Sequence, residues 1–217
     1  MEVKICGLTQ VAQAVAIARM GVTAVGIVCV PTSRRYVAPA QQRQLNQALA
    51  AYPVWRVGVF AECPLSEVIA AVQTQGFTGV QLHGQESPPY CQALRAACPD
   101  VMIIKALRVR DATSLAGMAP YVPWVDRFLL DAYDPQHLGG TGRAWDWGLL
   151  RHLDAPLPWW LAGGITPENC RAAIAQTRPY GIDVSSGVEQ TPGVKDMQRV
   201  AQLLQGIYGH EKTPRRS

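Results

Sequence analysis

Short runs of consecutive apolar residues alternate along the chain with longer stretches in which apolar residues recur every three or four positions. The runs VGIVCV, VWRVGVF, VMIIK and FLLD are continuously apolar, whereas residues 10–20 show one apolar helical face. The pattern predicts strands over residues 3–6, 24–30, 55–60, 79–82, 101–106, 127–131, 158–162 and 180–184. It predicts helices over residues 10–20, 39–52, 64–75, 87–97, 111–118, 147–153, 167–177 and 196–207, with Thr166 as an N-cap and a long loop over 132–144.

The strict alternation of strands and helices indicates the fold class. Continuous apolar strands are typical of a parallel sheet that helices cover on both faces. Eight strand–helix units predict an α/β fold, a single-domain (β/α)8 TIM barrel over residues 1–209, followed by a short charged tail over 210–217. An open, doubly wound sheet is the alternative. It usually carries a glycine-rich turn after its first strand, and the CGLT segment here does not match that pattern.

Composition narrows the class of protein further. The 217 residues are 48% hydrophobic and 17% charged, which is typical of one soluble globular domain. No apolar run reaches the roughly 20 residues of a membrane helix, and the N-terminus shows no export signal. The net charge is +4, of which the tail supplies half, and there is no basic stripe. We therefore expect a cytoplasmic protein without nucleic-acid or membrane partners.

The cysteines and histidines give no metal-binding pattern. The six cysteines form no CxxC motif, and the four histidines form no HxxxH or HExxH motif. Without an export signal, the cysteines are expected to stay reduced. The sequence thus predicts a protein with free thiols, no bound metal and no cofactor.

Glycine-rich segments follow the last three predicted strands. LAGGIT contains Gly163 and Gly164, and DVSSGVE contains Asp183, Ser185, Ser186 and Gly187. In a barrel, the loops after strands 7 and 8 frequently bind phosphate, because glycine lets backbone N–H groups approach an anion. The LGGTG segment, with Gly140 and Gly142, suits a loop that closes over a substrate. The alternatives are simple chain turns and a plain connector.

A thiol and a carboxyl stand at the ends of predicted strands, where barrel chemistry takes place. Cys6 ends strand 1 and Asp131 ends strand 6, so they form a candidate base and acid on opposite sides of the mouth. Each also has a structural interpretation, as a buried small side chain and as a hydrogen-bond anchor. Asp183 is the second candidate base.

Three further side chains are candidates for binding. Arg35 follows strand 2 and offers a planar fork for a carboxylate, and the alternative interpretation is a surface charge. His83, in QLHG, is placed to bind substrate or to anchor its loop. Lys105 is predicted to end strand 5, where it would either form a Schiff base or be paired structurally.

The segments KICGLT, VGIVCVPTSRRYV, RVGVF, GVQLHG, LLD, GGTGRAWDW, LAGGITPENC and GIDVSSGVEQTPGVKD, in this order, resemble the phosphoribosylanthranilate isomerase family. The resemblance spans residues 4–196. It implies a cofactor-free barrel enzyme of tryptophan biosynthesis that converts N-(5-phosphoribosyl)anthranilate to 1-(2-carboxyphenylamino)-1-deoxyribulose 5-phosphate by an Amadori rearrangement. It implies Cys6 as general base, Asp131 as general acid and Arg35 as the carboxylate ligand, with a phosphorylated small molecule as substrate and a monomer or homodimer as the assembly.

Two other function classes remain open on the sequence. A phosphate-binding barrel lyase, such as an indole-glycerol-phosphate synthase or an aldolase, would use Lys105 as its catalytic lysine. A non-enzymatic binder of a phosphorylated ligand would need only the glycine-rich loops.

Overall fold

A computed structural model describes residues 1–109, 111–132, 147–151 and 153–209. Eight parallel strands form a closed barrel in sequence order, and the last strand pairs with the first. They are β1 (Glu2–Cys6), β2 (Ala24–Val28), β3 (Trp55–Phe60), β4 (Gly79–Leu82), β5 (Met102–Val109), β6 (Arg127–Ala132), β7 (Trp159–Ala162) and β8 (Gly181–Val184). The predicted barrel is confirmed, and the open-sheet alternative is wrong.

Helices form the outer layer of the barrel. They are α1 (Val11–Arg19), α2 (Pro39–Leu49), α3 (Leu65–Gln75), α4 (Pro88–Ala97), α5 (Ala112–Ala116), α6 (Cys170–Thr177) and α7 (Met197–Tyr208). Local sequence signals set several of their ends. Ser87 caps α4 by accepting a hydrogen bond from the Tyr90 N–H, and Gly76 ends α3 in the left-handed conformation at φ 82°.

Side chains alternate between the barrel interior and the helix layer. On β1, Val3 and Ile5 pack into the large core beneath the helices, so Lys4 and Cys6 face the interior. Small and large apolar residues fill most of the interior: Ala24, Val57, Met102, Ile104, Ala106, Leu129, Trp160 and Ala162. The interior also holds charged groups, since Lys4 and Asp183 are both buried.

The predicted strict alternation is wrong after β8. A 3-10 turn (Ser186–Val188) and an antiparallel hairpin, β9 (Glu189–Thr191) and β10 (Val194–Lys195), precede α7. The hairpin packs on the region after β1: Thr9 Oγ1 donates to Gly193 O at 2.6 Å, and Gln13 Nε2 donates to Lys195 O at 2.9 Å. These contacts bring residues that are distant in sequence next to the carboxyl end of β1.

Two further predictions of local structure need correction. The helix predicted from Pro167 begins at Cys170, because the side chain of Asn169 bridges the preceding loop. Its Oδ1 accepts from the Thr166 N–H at 2.8 Å and its Nδ2 donates to Gly164 O at 2.8 Å. The helix predicted over 147–153 is a 3-10 turn over Trp147–Leu150.

The fifth strand is longer than the sequence predicted. It continues to Val109 instead of ending near residue 106, because it pairs with β6 as far as Ala132. Lys105 is therefore an internal position of the strand, and Arg108 lies nearer the mouth of the barrel.

Candidate active site

A cavity of about 480 Å³ opens at the carboxyl ends of the strands. Most of the predicted site residues line it: Cys6, Arg35, His83, Asp131, Gly163, Gly164, Asp183, Ser185, Ser186 and Gly187. The structure thus brings the predicted base, acid and phosphate loops to one cavity. The predicted Gly140 and Gly142 lie outside the described residues, as does most of the long loop that contains them.

Cys6 lies on the wall of this cavity with 8% of its surface exposed. A Cβ built on Gly26 would lie 2.6 Å from Cys6 Sγ and 3.1 Å from Lys4 Nζ. The sulfur and the ammonium group are therefore neighbours beside Gly26. Burial raises the pKa of the Cys6 thiol, while the charge of Lys4 opposes that rise. Cys6 therefore sits where its charge state depends on its neighbours.

Asp183 forms a buried ion pair with Lys4 instead of standing alone at the strand end. Lys4 Nζ lies 3.0 Å from Asp183 Oδ1, with side-chain exposures of 0% and 9%. Burial lowers the pKa of Lys4, but Asp183 and Cys6 raise it by more, so its pKa lies above the ordinary value. The sequence prediction missed Lys4, although its position two residues before Cys6 on a strand placed both side chains on one face.

Asp131 and His83 form a pair on the opposite side of the cavity. His83 Nε2 lies 3.3 Å from Asp131 Oδ2, and Gln81 Nε2 lies 2.7 Å from His83 Nδ1. When the Gln81 amide donates to Nδ1, the imidazole proton is on Nε2 and faces Asp131. The side chain of Asp131 is 30% exposed, which gives it access to a molecule in the cavity.

Arg35 reaches the cavity, and the neighbouring Arg34 is exposed to solvent. The Arg35 fork is already bound to Glu189: Nη2 lies 2.6 Å from Oε2, and Nε lies 2.9 Å from Oε1. Lys195 Nζ also contacts Glu189, at 2.7 Å from Oε1. The hydrogen bonds that Arg35 donates to Glu189 raise the pKa of Arg35 above its ordinary value.

Glu189 and Lys195 are functional candidates that the sequence prediction missed. Both belong to the hairpin after β8, and both side chains are buried, with exposures of 4% and 0%. Lys195 also donates to Ser185 O at 3.2 Å, next to one phosphate-loop residue. No local pattern predicted this hairpin, so these residues could not be placed beside Arg35 from the sequence alone.

The two glycine-rich loops lie against each other at the mouth. Gly163 and Gly164 have φ values of 89° and 64°, a region that favours glycine. A Cβ on Gly164 would have no atom within 4 Å, whereas one on Gly187 would lie 1.9 Å from Ile165 O. Gly187 is thus required for the close packing of the loops, and Gly164 faces open space where an anion can approach.

Lys105 does not line the cavity. It pairs with Glu86 at 2.8 Å, and its Nζ also donates to Gly84 O at 2.6 Å. Both side chains of the pair are buried, and Glu86 accepts from the Gly84 N–H as well. Lys105 therefore anchors the loop that carries His83, and the geometry gives no support to a Schiff-base lysine in the cavity.

Across the described ranges, no group of three or more His, Cys, Asp or Glu side chains is arranged to hold a metal ion. Within the same ranges, no helix has the length and apolar character needed to cross a membrane.

Comparison with known proteins agrees with this geometry. The family model described as N-(5'-phosphoribosyl)anthranilate (PRA) isomerase matches residues 3–206. An N-(5'-phosphoribosyl)anthranilate isomerase from Thermosynechococcus vestitus is 54% identical over 207 residues, which cover 95% of this chain and 90% of that protein.

Solved structures of the same enzyme share the fold. The phosphoribosyl anthranilate isomerase of Thermotoga maritima superposes with a TM-score of 0.87 at 34% identity, covering 96% of this chain and 99% of that one. A second structure, with a TM-score of 0.83 and 32% identity over 96% and 99% of the two chains, holds reduced 1-(o-carboxyphenylamino)-1-deoxyribulose 5-phosphate. The match covers nearly the whole chain and includes the cavity, and the chain belongs to the phosphoribosylanthranilate isomerase family.

Proposed function

We propose that Cys6 and Asp131 perform the isomerisation as general base and general acid. The enzyme is an N-(5'-phosphoribosyl)anthranilate isomerase of tryptophan biosynthesis. The observation that carries the assignment of roles is that the thiol and the carboxyl line one cavity from opposite sides. General acid–base groups must reach the reacting atoms from such positions.

The reaction needs one proton donor and one proton acceptor. Asp131 protonates the furanose ring oxygen, and the C1–O bond breaks to give an open-chain Schiff base. The Cys6 thiolate then removes the proton from ribose C2, and the electron pair moves toward the imine nitrogen to form an enolamine. Tautomerisation of the enolamine gives the ketone product. The step is redox-neutral overall and needs no cofactor.

The remaining cavity residues suit the two charged ends of the substrate. The loops with Gly163–Gly164 and Ser185–Gly187 would take the phosphate on backbone N–H groups. Arg35, across the mouth, would take the carboxylate of the anthranilate ring. Because Glu189 already occupies much of the Arg35 fork, the substrate carboxylate would share the guanidinium with Glu189 or displace it. His83, beside Asp131, is placed to orient the acid.

We also propose a cytoplasmic location and an assembly no larger than a homodimer. A biosynthetic enzyme that takes a phosphorylated metabolite is expected where that metabolite is made, and both monomers and a dimer occur among its structural neighbours. Sedimentation of the purified chain at several concentrations measures the assembly, and cell fractionation measures the location. A stable tetramer or a membrane-associated enzyme would contradict the proposal.

Two substitutions test the assigned roles. Cys6→Ser replaces the thiol with a hydroxyl that stays protonated at neutral pH, and Asp131→Asn cannot donate a carboxyl proton. We expect neither variant to rescue a tryptophan auxotroph that lacks this isomerase. Each should lower kcat, followed as loss of substrate fluorescence, by about 10²-fold or more. Wild-type turnover by Cys6→Ser would remove Cys6 from the mechanism, and Asp183 would become the next candidate base.

A further inference from the structure

An ammonium group stands beside the proposed base, on the same strand and the same face. Lys4 is fully buried, and its nearest carboxylate is that of Asp183 on β8, the strand that pairs with β1 in the closed barrel. The Cys6 thiol is its neighbour on the cavity side, since a Cβ built on Gly26 would lie 3.1 Å from Lys4 Nζ and 2.6 Å from Cys6 Sγ. One lysine side chain therefore lies between a carboxylate and a thiol inside the barrel.

Stability alone gives little reason for a charged pair at this position. Burying a lysine and an aspartate carries a large desolvation cost, and an apolar pair of similar volume is often at least as stable. The neighbouring interior layers are apolar, with Ala24 and Trp160 among their residues. The ammonium group therefore calls for a chemical explanation, and the neighbouring thiol supplies one.

This inference rests on the proposed function of Cys6. We propose that Lys4 is a positioning residue for proton abstraction: its ammonium group holds the Cys6 thiolate in the buried interior, and Asp183 holds Lys4 in place. The thiolate then exists close to ribose C2 without being exposed to bulk water.

The charges that face Cys6 come from four elements. Lys4 on β1 and Lys195 on β10 favour the thiolate, and Asp183 on β8 disfavours it. Arg35, from the loop after β2, also interacts with the Cys6 charge, while β2 itself contributes the uncharged Gly26. Lys195 and Arg35 are both bound to Glu189. Of these groups, Lys4 has the largest favourable effect on the thiolate.

The proposal has a defined consequence for the pH profile. The active form needs Cys6 ionised and Asp131 protonated, yet a carboxyl ordinarily loses its proton at lower pH than a thiol. At pH values between the two pKa values, the fraction of enzyme molecules in the active form is constant. It equals the acid dissociation constant of the thiol divided by that of the carboxyl. Each unit by which the Cys6 pKa rises therefore lowers kcat/KM about tenfold and moves the alkaline limb of the profile up by one unit.

Lys4→Met is the direct test, with Lys4→Arg as the variant that keeps the charge. Alkylation of Cys6 by iodoacetamide, quantified by peptide mass spectrometry from pH 6 to 11, gives the pKa of the thiol without any substrate. We expect Lys4→Met to raise that pKa by about one unit or more and to lower kcat/KM by the matching factor. Lys4→Arg should restore part of both quantities. An unchanged Cys6 titration in Lys4→Met would overturn the proposal.

Lys105→Met is the matched control for this titration. Lys105 is also a buried lysine paired with a carboxylate, but it contacts Glu86 on the other side of the barrel. We expect it to leave the Cys6 titration unchanged. An equal shift in both variants would mean that loss of any buried ion pair loosens the barrel, and the specific role of Lys4 would be refuted.

A measurement on the unaltered Lys4 covers the case in which Lys4→Met does not fold. The chain has four lysines, Lys4, Lys105, Lys195 and Lys212, so a protein labelled with 13C at lysine Cε gives a simple NMR spectrum. The Lys4 resonance should shift as Cys6 ionises in the wild type and should not do so in Cys6→Ser. A Lys4 resonance that does not shift while Cys6 titrates would overturn the proposal. Turnover by Cys6→Ser would instead refute the base assignment, so the two failures are distinguishable.

Discussion

On one side of the barrel mouth, Cys6 is buried among charged groups from β1, β8 and the hairpin after β8. On the other side, Asp131 and His83 are 30% and 26% exposed and contact each other, and within the described part of the chain neither forms an ion pair with a lysine or arginine. A buried thiolate needs cations nearby, because burial alone disfavours the charged form. An acid that delivers its proton to a substrate needs access to the cavity. The two sides thus match the opposite demands of accepting and donating a proton.

The two sides also differ in how the structure holds them. Cys6 belongs to a barrel strand, and Ser185 Oγ donates to its carbonyl oxygen at 3.1 Å. His83 belongs to a loop, and the buried Lys105–Glu86 pair holds that loop through Gly84. The base is therefore fixed by the barrel itself, whereas the partner of the acid is fixed by a separate ion pair outside the cavity.

The largest effect is expected on the acid side. Asp131→Asn should lower kcat by about 10²- to 10⁴-fold with folding intact, because the amide cannot donate the proton. Asp126→Asn is the matched control just before the same strand, where Asp126 bonds Arg95 and the Ile103 N–H. It should cost stability and leave kcat unchanged. Stopped-flow fluorescence and thermal unfolding measure the two quantities, and a similar loss of kcat in both variants would contradict the assignment.

A smaller effect is expected from Arg35, on the Cys6 side. Arg35→Lys keeps the charge but loses the fork, so kcat/KM should fall about 10- to 100-fold, the range for hydrogen bonds between charged groups. The exposed Arg34 supplies the control, since Arg34→Lys should change kcat/KM less than twofold. Steady-state kinetics of both variants give the comparison, and equal losses would show that the loop, rather than the Arg35 fork, recognises the substrate.

The phosphate loop should respond mainly through KM. A methyl group on Gly164 would point into open space where the phosphate is proposed to bind, so Gly164→Ala should raise KM about tenfold, or about 1.4 kcal/mol. Gly21→Ala is a matched control: Gly21 has φ 84°, also has no atom within 4 Å of a built Cβ, and lies between α1 and β2. Both variants should lose similar stability through the positive φ. If KM rose equally in Gly164→Ala and Gly21→Ala, the effect would not come from phosphate binding at Gly164.

The sequence predicted the residues whose position follows from strand periodicity. Cys6, Asp131 and His83 come at or just after the ends of apolar strands, and a barrel brings all strand ends to one rim. For the same reason Lys4 was predictable in principle, since it shares the inward face of β1 with Cys6. Lys4 was not predicted because only residues at strand ends were considered as candidates.

Other parts of the site depend on tertiary contacts that no local pattern encodes. Glu189 binds Arg35, and Lys195 binds Glu189, because a short hairpin contacts Thr9 and Gln13, more than 180 residues away in sequence. The end of β5 could not be predicted from the sequence either, because pairing with β6 extends this strand beyond the apolar run. For that reason Lys105 was wrongly placed at the mouth and Arg108 was overlooked.

The smallest effect concerns the charge of Glu189, which belongs to the Cys6 side. Burial raises its pKa, but Arg35 and Lys195 lower it by more, so the folded pKa lies below the ordinary value. A carboxyl with a depressed pKa stabilises the fold above its unfolded pKa of about 4.3, and that contribution is lost as the pH falls through the folded pKa. Glu189→Gln keeps the shape and removes the charge. We therefore expect it to lower the free energy of unfolding by about 1 kcal/mol at pH 7, with the difference from wild type vanishing in acid.

Glu168→Gln separates this buried charge from an exposed one. The pKa of Glu168 is also lowered, to about 2, first by the Thr166 side chain and further by Arg199, but its side chain is 63% exposed. Because salt screens exposed pairs far more than buried ones, the small effect of Glu168→Gln should disappear at high ionic strength while that of Glu189→Gln persists. Urea unfolding of both variants at pH 3 and pH 7, with and without added salt, makes the measurement. A Glu189→Gln effect that salt removes would mean that the charges around Arg35 are open to solvent, and the contrast between the two sides of the mouth would be lost.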